Sequence, residues 1–235
     1  MLKQGAYVAI IDSQIPETAR ASQSSHLKFF QADVSDESQV AAAASGILAW
    51  KQERNMDIGG IVCCAGYLGP MKILSKSGKI MPLDHFRKVV NISLTGTLDV
   101  IRQLLPAMAS QRADEDGERG VIVTVASAAA FDGQEGQLAY SAAKGAIASM
   151  TLPLARDLSQ WGIRAVSIAP GMFGTNMVAG MSDKVKESLQ RSLEFPARAG
   201  RPEEFASLVQ QVFENRMLNG TVIRLDGASR MPSRL

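Results

Sequence analysis

Cysteine and histidine are scarce, with two of each in 235 residues. The cysteines, Cys63 and Cys64, are adjacent within an apolar run. Neighbours on a strand point to opposite faces, so a structural disulfide is excluded and two small reduced core residues are expected. With His26 and His85 as the only imidazoles, no cluster has metal-ligand spacing, so no metal site is expected. An excess of one charge is also lacking. The 25 Lys and Arg stand against 23 Asp and Glu, interspersed, for a net charge of +2, and no nucleic-acid partner is expected. No apolar stretch is long enough to span a membrane, and the first residues carry no signal-peptide pattern.

What is present is an alternation. Six apolar runs read as strands: 6–11, 27–32, 58–64, 120–126, 163–169 and 221–225. Between them lie helical patterns at 36–53, 82–110, 138–161, 182–194 and 202–215. Strands alternating with helices imply parallel strands joined by right-handed crossovers. Continuous apolar runs suit a sheet covered on both faces. The expectation is a single domain over 1–235, an α/β doubly wound parallel sheet of the Rossmann-like kind.

The first strand raises a difficulty. In such folds a dinucleotide's pyrophosphate sits on a glycine-rich turn after the first strand, and an acid at the end of the second strand binds the ribose. Asp12 fits the acid, but no glycine-rich turn precedes it. "MLKQGA" reads as the tail of a helix stopped by Gly5. The expected outcome is a domain short of one N-terminal strand-turn-helix unit. Its strand would lie between 6–11 and 58–64, leaving both without a ladder partner.

The strongest chemical signal is "SAAAFDGQEGQLAYSAAKGAIASMT". Tyr140 and Lys144 are spaced i,i+4 and share a helix face. An ammonium near a phenol favours the phenolate and lowers the tyrosine pKa, so Tyr140 becomes a candidate proton carrier. Ser127 ends a core strand, where its hydroxyl can hold a substrate oxygen.

With "APGMFGT" downstream, these residues resemble the short-chain dehydrogenase/reductase family. More narrowly, "RGVIVTVASAAAFDGQEGQLAYSAAKGAIASMTLPLARDL", "NGTVIRLDGASRM" and the long loop "LGPMKILSKSGKIMPLDHF" are similar to its type-2 3-hydroxyacyl-CoA dehydrogenase branch, also called 17β-hydroxysteroid dehydrogenase type 10. The resemblance implies a sheet in the order 3-2-1-4-5-6-7 and a homotetramer. It implies Tyr140 as general acid/base, Lys144 on the nicotinamide ribose, and Ser127 orienting the substrate oxygen. It further implies NAD as cofactor, held by Asp12, Asp33, Val34, Cys64, Ala65, Gly66, Pro170, Gly171, Phe173 and Thr175. Gln134 and Gln137 would line the substrate pocket or stand as exposed loop amides. Lys72, Lys76 and Lys79 would attract CoA phosphates or simply solvate their loop.

Several positions depart from the family pattern. Ser93, in "NISLTGT", stands where the family has a catalytic asparagine that supports a proton relay, so slower turnover is expected. Cys63 replaces the first asparagine of the "N-N-A-G" turn. The C-terminal Ser233-Arg234-Leu235 resembles a peroxisomal address, while animal relatives are mitochondrial. The implied reaction is the NAD-dependent interconversion of a secondary alcohol and a ketone, with 3-hydroxyacyl-CoA or a steroid alcohol as substrate. A catalytically silent scaffold subunit is the alternative, favoured by the missing phosphate turn. Apolar residues Leu98, Ile101, Ile147 and Met150 are expected on outer helix faces that pair between subunits, with burial in the protein's own core as the competing explanation.

Overall fold

Strand β1 (Val8–Asp12) pairs in parallel with β2 (Leu27–Gln31). A second sheet runs β3 (Gly60–Cys63), β4 (Gly120–Val125), β5 (Ile163–Pro170) and β6 (Val222–Leu225), in that order and parallel throughout. This computed structural model describes residues 2–15, 24–175 and 193–233. The helices are α1 (Glu37–Glu53), α2 (Leu83–Val90), α3 (Gly96–Ser110), α4 (Leu138–Asp157) and α5 (Pro202–Glu214). The helical pattern at 182–194 falls largely outside the described residues.

Both faces of the four-stranded sheet are covered, as the unbroken apolar runs require. Ile122, Ile163 and Ala165 pack with Ile47, Ile101, Leu104 and Leu158 on one face. Val121, Val123, Val166 and Ile168 pack against Val209 and Val212 of α5 on the other. The residue alternation along β4 assigns each side chain to its layer.

Local chemistry fixes the element ends. Asp36 caps α1 by accepting from the Ser38 and Gln39 amides, and Pro202 opens α5 beside a capping box in which Glu204 accepts from the Arg201 amide. Leu2–Gln4 form a 3₁₀ turn that stops at Gly5, which has φ +85°, as the sequence predicts. The pattern at 82–110 is not one uniform helix. Asn91–Thr95 form a π turn between α2 and α3.

Two outer-face expectations are corrected. Ile101 and Ile147 are fully buried in the protein's own core, Met150 is half-buried against that core, and Leu98 is 47% exposed. The 100° period alone does not distinguish a core-facing stripe from an outward one when both are apolar.

The sheets do not join. β1 and β3 share no ladder, and a cavity of about 150 Å³ separates them, lined by Ala9, Ile11, Ile61, Cys63, Val100 and Leu104 among others. Among the described residues no strand enters it. An ion pair links α1 and α3: Arg102 of α3, which also pairs with Asp99 of its own helix at 2.7 Å, reaches Glu37 of α1 at 2.6 Å.

Gly96 is where α3 meets the loop after β2. A Cβ there would lie 2.5 Å from the Val34 carbonyl oxygen, which is backbone and cannot turn aside. Gly96→Ala is therefore expected to lower unfolding free energy by about 1–3 kcal/mol, read from the urea midpoint.

Candidate active site

Asp12, Cys64, Ser127 and Pro170 all stand at or just beyond the carboxyl ends of parallel strands. That is the edge of an open α/β sheet where ligands bind.

Ser127 follows β4 and begins a 3₁₀ turn, Ala128–Ala130, by accepting from the Ala129 amide at 3.1 Å. Tyr140 lies in the first turn of α4, and its phenol is hydrogen-bonded to the Ser127 side chain. Lys144, one turn on, is buried; its Nζ lies 5.8 Å from the Tyr140 ring centroid and donates to the Val125 carbonyl at 2.6 Å. The three predicted catalytic side chains therefore do meet.

The electrostatics differ from expectation. Burial pushes the Tyr140 phenol up, and the Ser127 hydrogen bond offsets this only partly. The expected lowering by Lys144 is absent because the ammonium is turned to the Val125 carbonyl, a partner invisible to side-chain spacing. Burial pushes Lys144 down to about 8. The unfolded chain thus binds more protons than the folded one between roughly pH 8 and 10.4, and stability rises with pH across that window. From pH 7 to pH 10 the unfolding free energy is expected to rise by about 2–3 kcal/mol more in the parent than in Lys144→Met, measured by paired urea titrations.

Gly66 runs beside these groups. A Cβ there would be 3.4 Å from Lys144 Nζ and 3.8 Å from Ser93 Oγ. Ser93 is buried in the π turn, where it accepts from the Tyr67 amide at 3.0 Å. The serine hydroxyl is thus spent on main chain, a role the asparagine comparison did not anticipate.

At the other end of the crevice, the exposed Asp12 carboxylate accepts from the Gln14 amide at 2.9 Å. Asp33 is held below the usual carboxylate range by hydrogen bonds from the Ser35 hydroxyl and amide. Val34 borders the inter-sheet cavity. Cys63 is in the core as expected, its thiol pushed up to about 12 by burial, but the core expectation is corrected for Cys64, which is exposed because strand neighbours face opposite ways; both are unpaired. Pro170 ends β5, and the following Gly171 donates to Leu225 at 3.0 Å. Phe173 packs edge-on against Phe205, and Thr175 turns back to Phe173 through its amide.

The whole chain can now be compared with known proteins. A family model described as short chain dehydrogenase matches residues 1–186. The chain is a short-chain dehydrogenase. It is 44% identical to the 3-hydroxyacyl-CoA dehydrogenase type-2 of Mus musculus, over 98% of this chain and 88% of that protein. The protein of the same name from Drosophila melanogaster is also 44% identical, over 98% of this chain and 90% of its own. A crystal structure of 3-hydroxyacyl-CoA dehydrogenase type-2 from Mycobacterium avium superposes with TM-score 0.87 at 31% identity, covering 99% of this chain and 89% of that one. The short-chain dehydrogenase is therefore an oxidoreductase acting on a small molecule with a nicotinamide cofactor.

The dehydrogenase departs from expectation at its two glutamines. Gln134 is buried and donates to the Pro232 carbonyl at 3.0 Å, while Gln137 Oε1 accepts from the Gln134 amide. Their amides brace the loop before Tyr140 against the chain's last residues. Gln134 does line a cavity of about 490 Å³, with Lys72, Leu74, Gly136 and Leu138; Gln137 does not. Lys72 pairs with Glu135 at 2.6 Å, so one of the three loop lysines is committed within the fold. Arg224 was not legible as a site residue: it bridges Asp132 and Asp226 and covers the Phe131 ring, tying β6 to the turn after Ser127. No local pattern marks it, since its partners are 92 and 2 residues away.

Described residues fit a nicotinamide dinucleotide at both ends: Asp12 for one ribose, Lys144 and Tyr140 for the other. No glycine-rich amide cradle for the pyrophosphate occurs among them.

Proposed function

We propose that this dehydrogenase interconverts 3-hydroxyacyl-CoA and 3-oxoacyl-CoA with NAD, in fatty-acyl breakdown. The observation that carries the reading is the meeting of Ser127, Tyr140 and Lys144 at the carboxyl edge of the sheet. The likeness to relatives named for that activity over 98% of the chain supports the substrate class. NAD supplies the hydride acceptor for the alcohol carbon. Tyr140 handles the oxygen-bound proton, Ser127 holds the oxygen, and Lys144 binds ribose hydroxyls. The negative charge of the Asp12 carboxylate repels a 2′-phosphate, which favours NAD over NADP.

The raised phenol gives a direction to the pH dependence. A protonated Tyr140 is ready to donate to a ketone, whereas alcohol oxidation needs the phenolate. Oxidation is expected to accelerate with pH above neutrality, and reduction to slow.

The test is spectrophotometric. NADH formation from 3-hydroxybutyryl-CoA should exceed that from hydroxysteroids; the reverse ranking would make the chain a steroid alcohol dehydrogenase. A calorimetric titration should show NAD binding; no binding at millimolar NAD would overturn the reading. We also propose a homo-oligomer, supported by exposed Leu98 and Leu152, and a peroxisomal or mitochondrial location. Ser233 is exposed; Arg234 and Leu235 lie outside the described residues.

A further inference from the structure

Residues 128–139 join Ser127 to Tyr140. Local structure fixes both ends of this segment. The 3₁₀ turn that Ser127 opens holds the first, and the Ser141 amide, donating to the Gln137 carbonyl at 2.7 Å as α4 begins, holds the second. The middle has no helix or strand of its own, and distant parts of the chain hold it. On one side the Met71 amide donates to the Gly136 carbonyl at 2.8 Å, and Lys72 pairs with Glu135. On the other lies the tail that follows β6. There Gln134 Nε2 donates to the Pro232 carbonyl at 3.0 Å, and the Glu135 amide donates to the Ser233 carbonyl at 3.0 Å.

The tail is itself aimed. After Asp226 the chain turns through Gly227 at φ +59° and Ala228 at φ +61°. A left-handed alanine is strained, and such a conformation persists where its surroundings enforce it. Arg224 of β6 donates to Asp226 at 2.6 Å, to the Ser229 carbonyl at 3.2 Å, and to Asp132. Ser229 is buried, and its amide donates to the Asp226 carbonyl at 3.1 Å. One guanidinium thus grips the base of the tail and the start of the segment between Ser127 and Tyr140. Of the outer contacts, that of Gln134 weighs most. Its side chain is buried, whereas Glu135 and Ser233 are exposed and water can take over their bond.

We propose that residues 229–233 form a strap that positions the catalytic pair. Held to β6 through Arg224 and to Gln134 and Glu135 through two main-chain carbonyls, the strap fixes the segment that sets Ser127 against Tyr140. Gln134 is then a positioning residue, acting through that segment. The inference deepens the proposed reaction, on which its kinetic test rests.

The test uses the full 235-residue protein. Gln134→Met removes the donor and keeps an unbranched side chain of similar length. Pro232→Gly with Ser233→Gly keeps both carbonyls but loosens the chain that presents them. For Gln134→Met, kcat on 3-hydroxybutyryl-CoA is expected to fall about tenfold through misplacement of the reacting groups, with KM for NAD within about twofold of the parent. The glycine pair is expected to change kcat in the same direction by less. Amide exchange by NMR reads the strap without turnover. In Gln134→Met the Glu135 amide should exchange at least about tenfold faster, and so should the Ala129 amide, which donates to Ser127, while Val123 in β4 stays as slow as in the parent. A kcat within about twofold of the parent would overturn the proposal. So would faster exchange at Glu135 with Ala129 unchanged, since the strap would then stop short of Ser127. Faster exchange at Val123 as well would mean general loosening, and an unaffected glycine pair would place the effect in Gln134 alone; either outcome also overturns it. A parent that does not turn over 3-hydroxybutyryl-CoA counts against the proposed reaction alone, and exchange at Ala129 then decides the strap.

Discussion

Tyr140→Phe should lower kcat by about 10²–10⁴-fold with little change in KM. That is the range for loss of a positioned proton carrier, and phenylalanine keeps the ring that packs in the first turn of α4. The removed oxygen is the one bonded to Ser127. Its loss frees a serine hydroxyl that still accepts from the Ala129 amide, so the 3₁₀ turn should persist. A residual rate within threefold of the parent would remove Tyr140 from the chemistry. Circular dichroism and the urea midpoint should match the parent within about 1 kcal/mol, which separates a chemical loss from a structural one.

Arg164→Ala is expected to cost about 3–5 kcal/mol of stability, the range for stripping one partner from a buried ion pair. Arg164 lies in β5 and is buried. It pairs with Glu118 at 2.9 Å and donates to the carbonyls of Val212 at 2.9 Å and Leu218 at 2.8 Å. One guanidinium thus closes the last turn of α5 and the loop that leads to β6. Alanine leaves Glu118 with only the longer Arg216 contact at 3.7 Å and takes the guanidinium donor from those carbonyls. Arg164→Leu with Glu118→Leu removes both charges, and should recover part of the loss. A single-variant midpoint unchanged from the parent would show that the network contributes only geometry. For a domain with net stability in the usual range, the single variant approaches the folding limit.

Much of this arrangement was readable beforehand because it rests on short-range pattern. All six strands occur, with ends shifted by up to two residues, since apolar runs mark buried parallel strands directly. The gap between the first and third strands was implied by the sheet order of the family resemblance, not by the runs themselves. The shared face of Tyr140 and Lys144 followed from helix spacing, while Ser127 joined them only through the family resemblance. What escaped were long-range main-chain partners. The Val125 carbonyl that captures Lys144 is 19 residues away, and the Tyr67 backbone that captures Ser93 is 26 away. Gln134 was read as pocket-lining and does border a cavity, but its amide also answers a carbonyl 98 residues on. Residue types announce what a side chain can bond, but the fold decides which of many equivalent backbone groups it meets.

The wide turn at Asn91–Thr95 has a further consequence. There the Gly96 amide reaches back five residues to the Asn91 carbonyl rather than four. Such a turn accommodates a single extra residue within otherwise regular helix. Deleting one residue in this stretch would restore ordinary pitch, yet it would swing everything on one side by about 100° about the axis. Ser93 would then leave Tyr67, and Gly96 would leave Val34. The irregularity acts as a phase adjuster: it lets α2 keep its own buried stripe while α3 keeps another, and it makes the length of this segment as constrained as its composition.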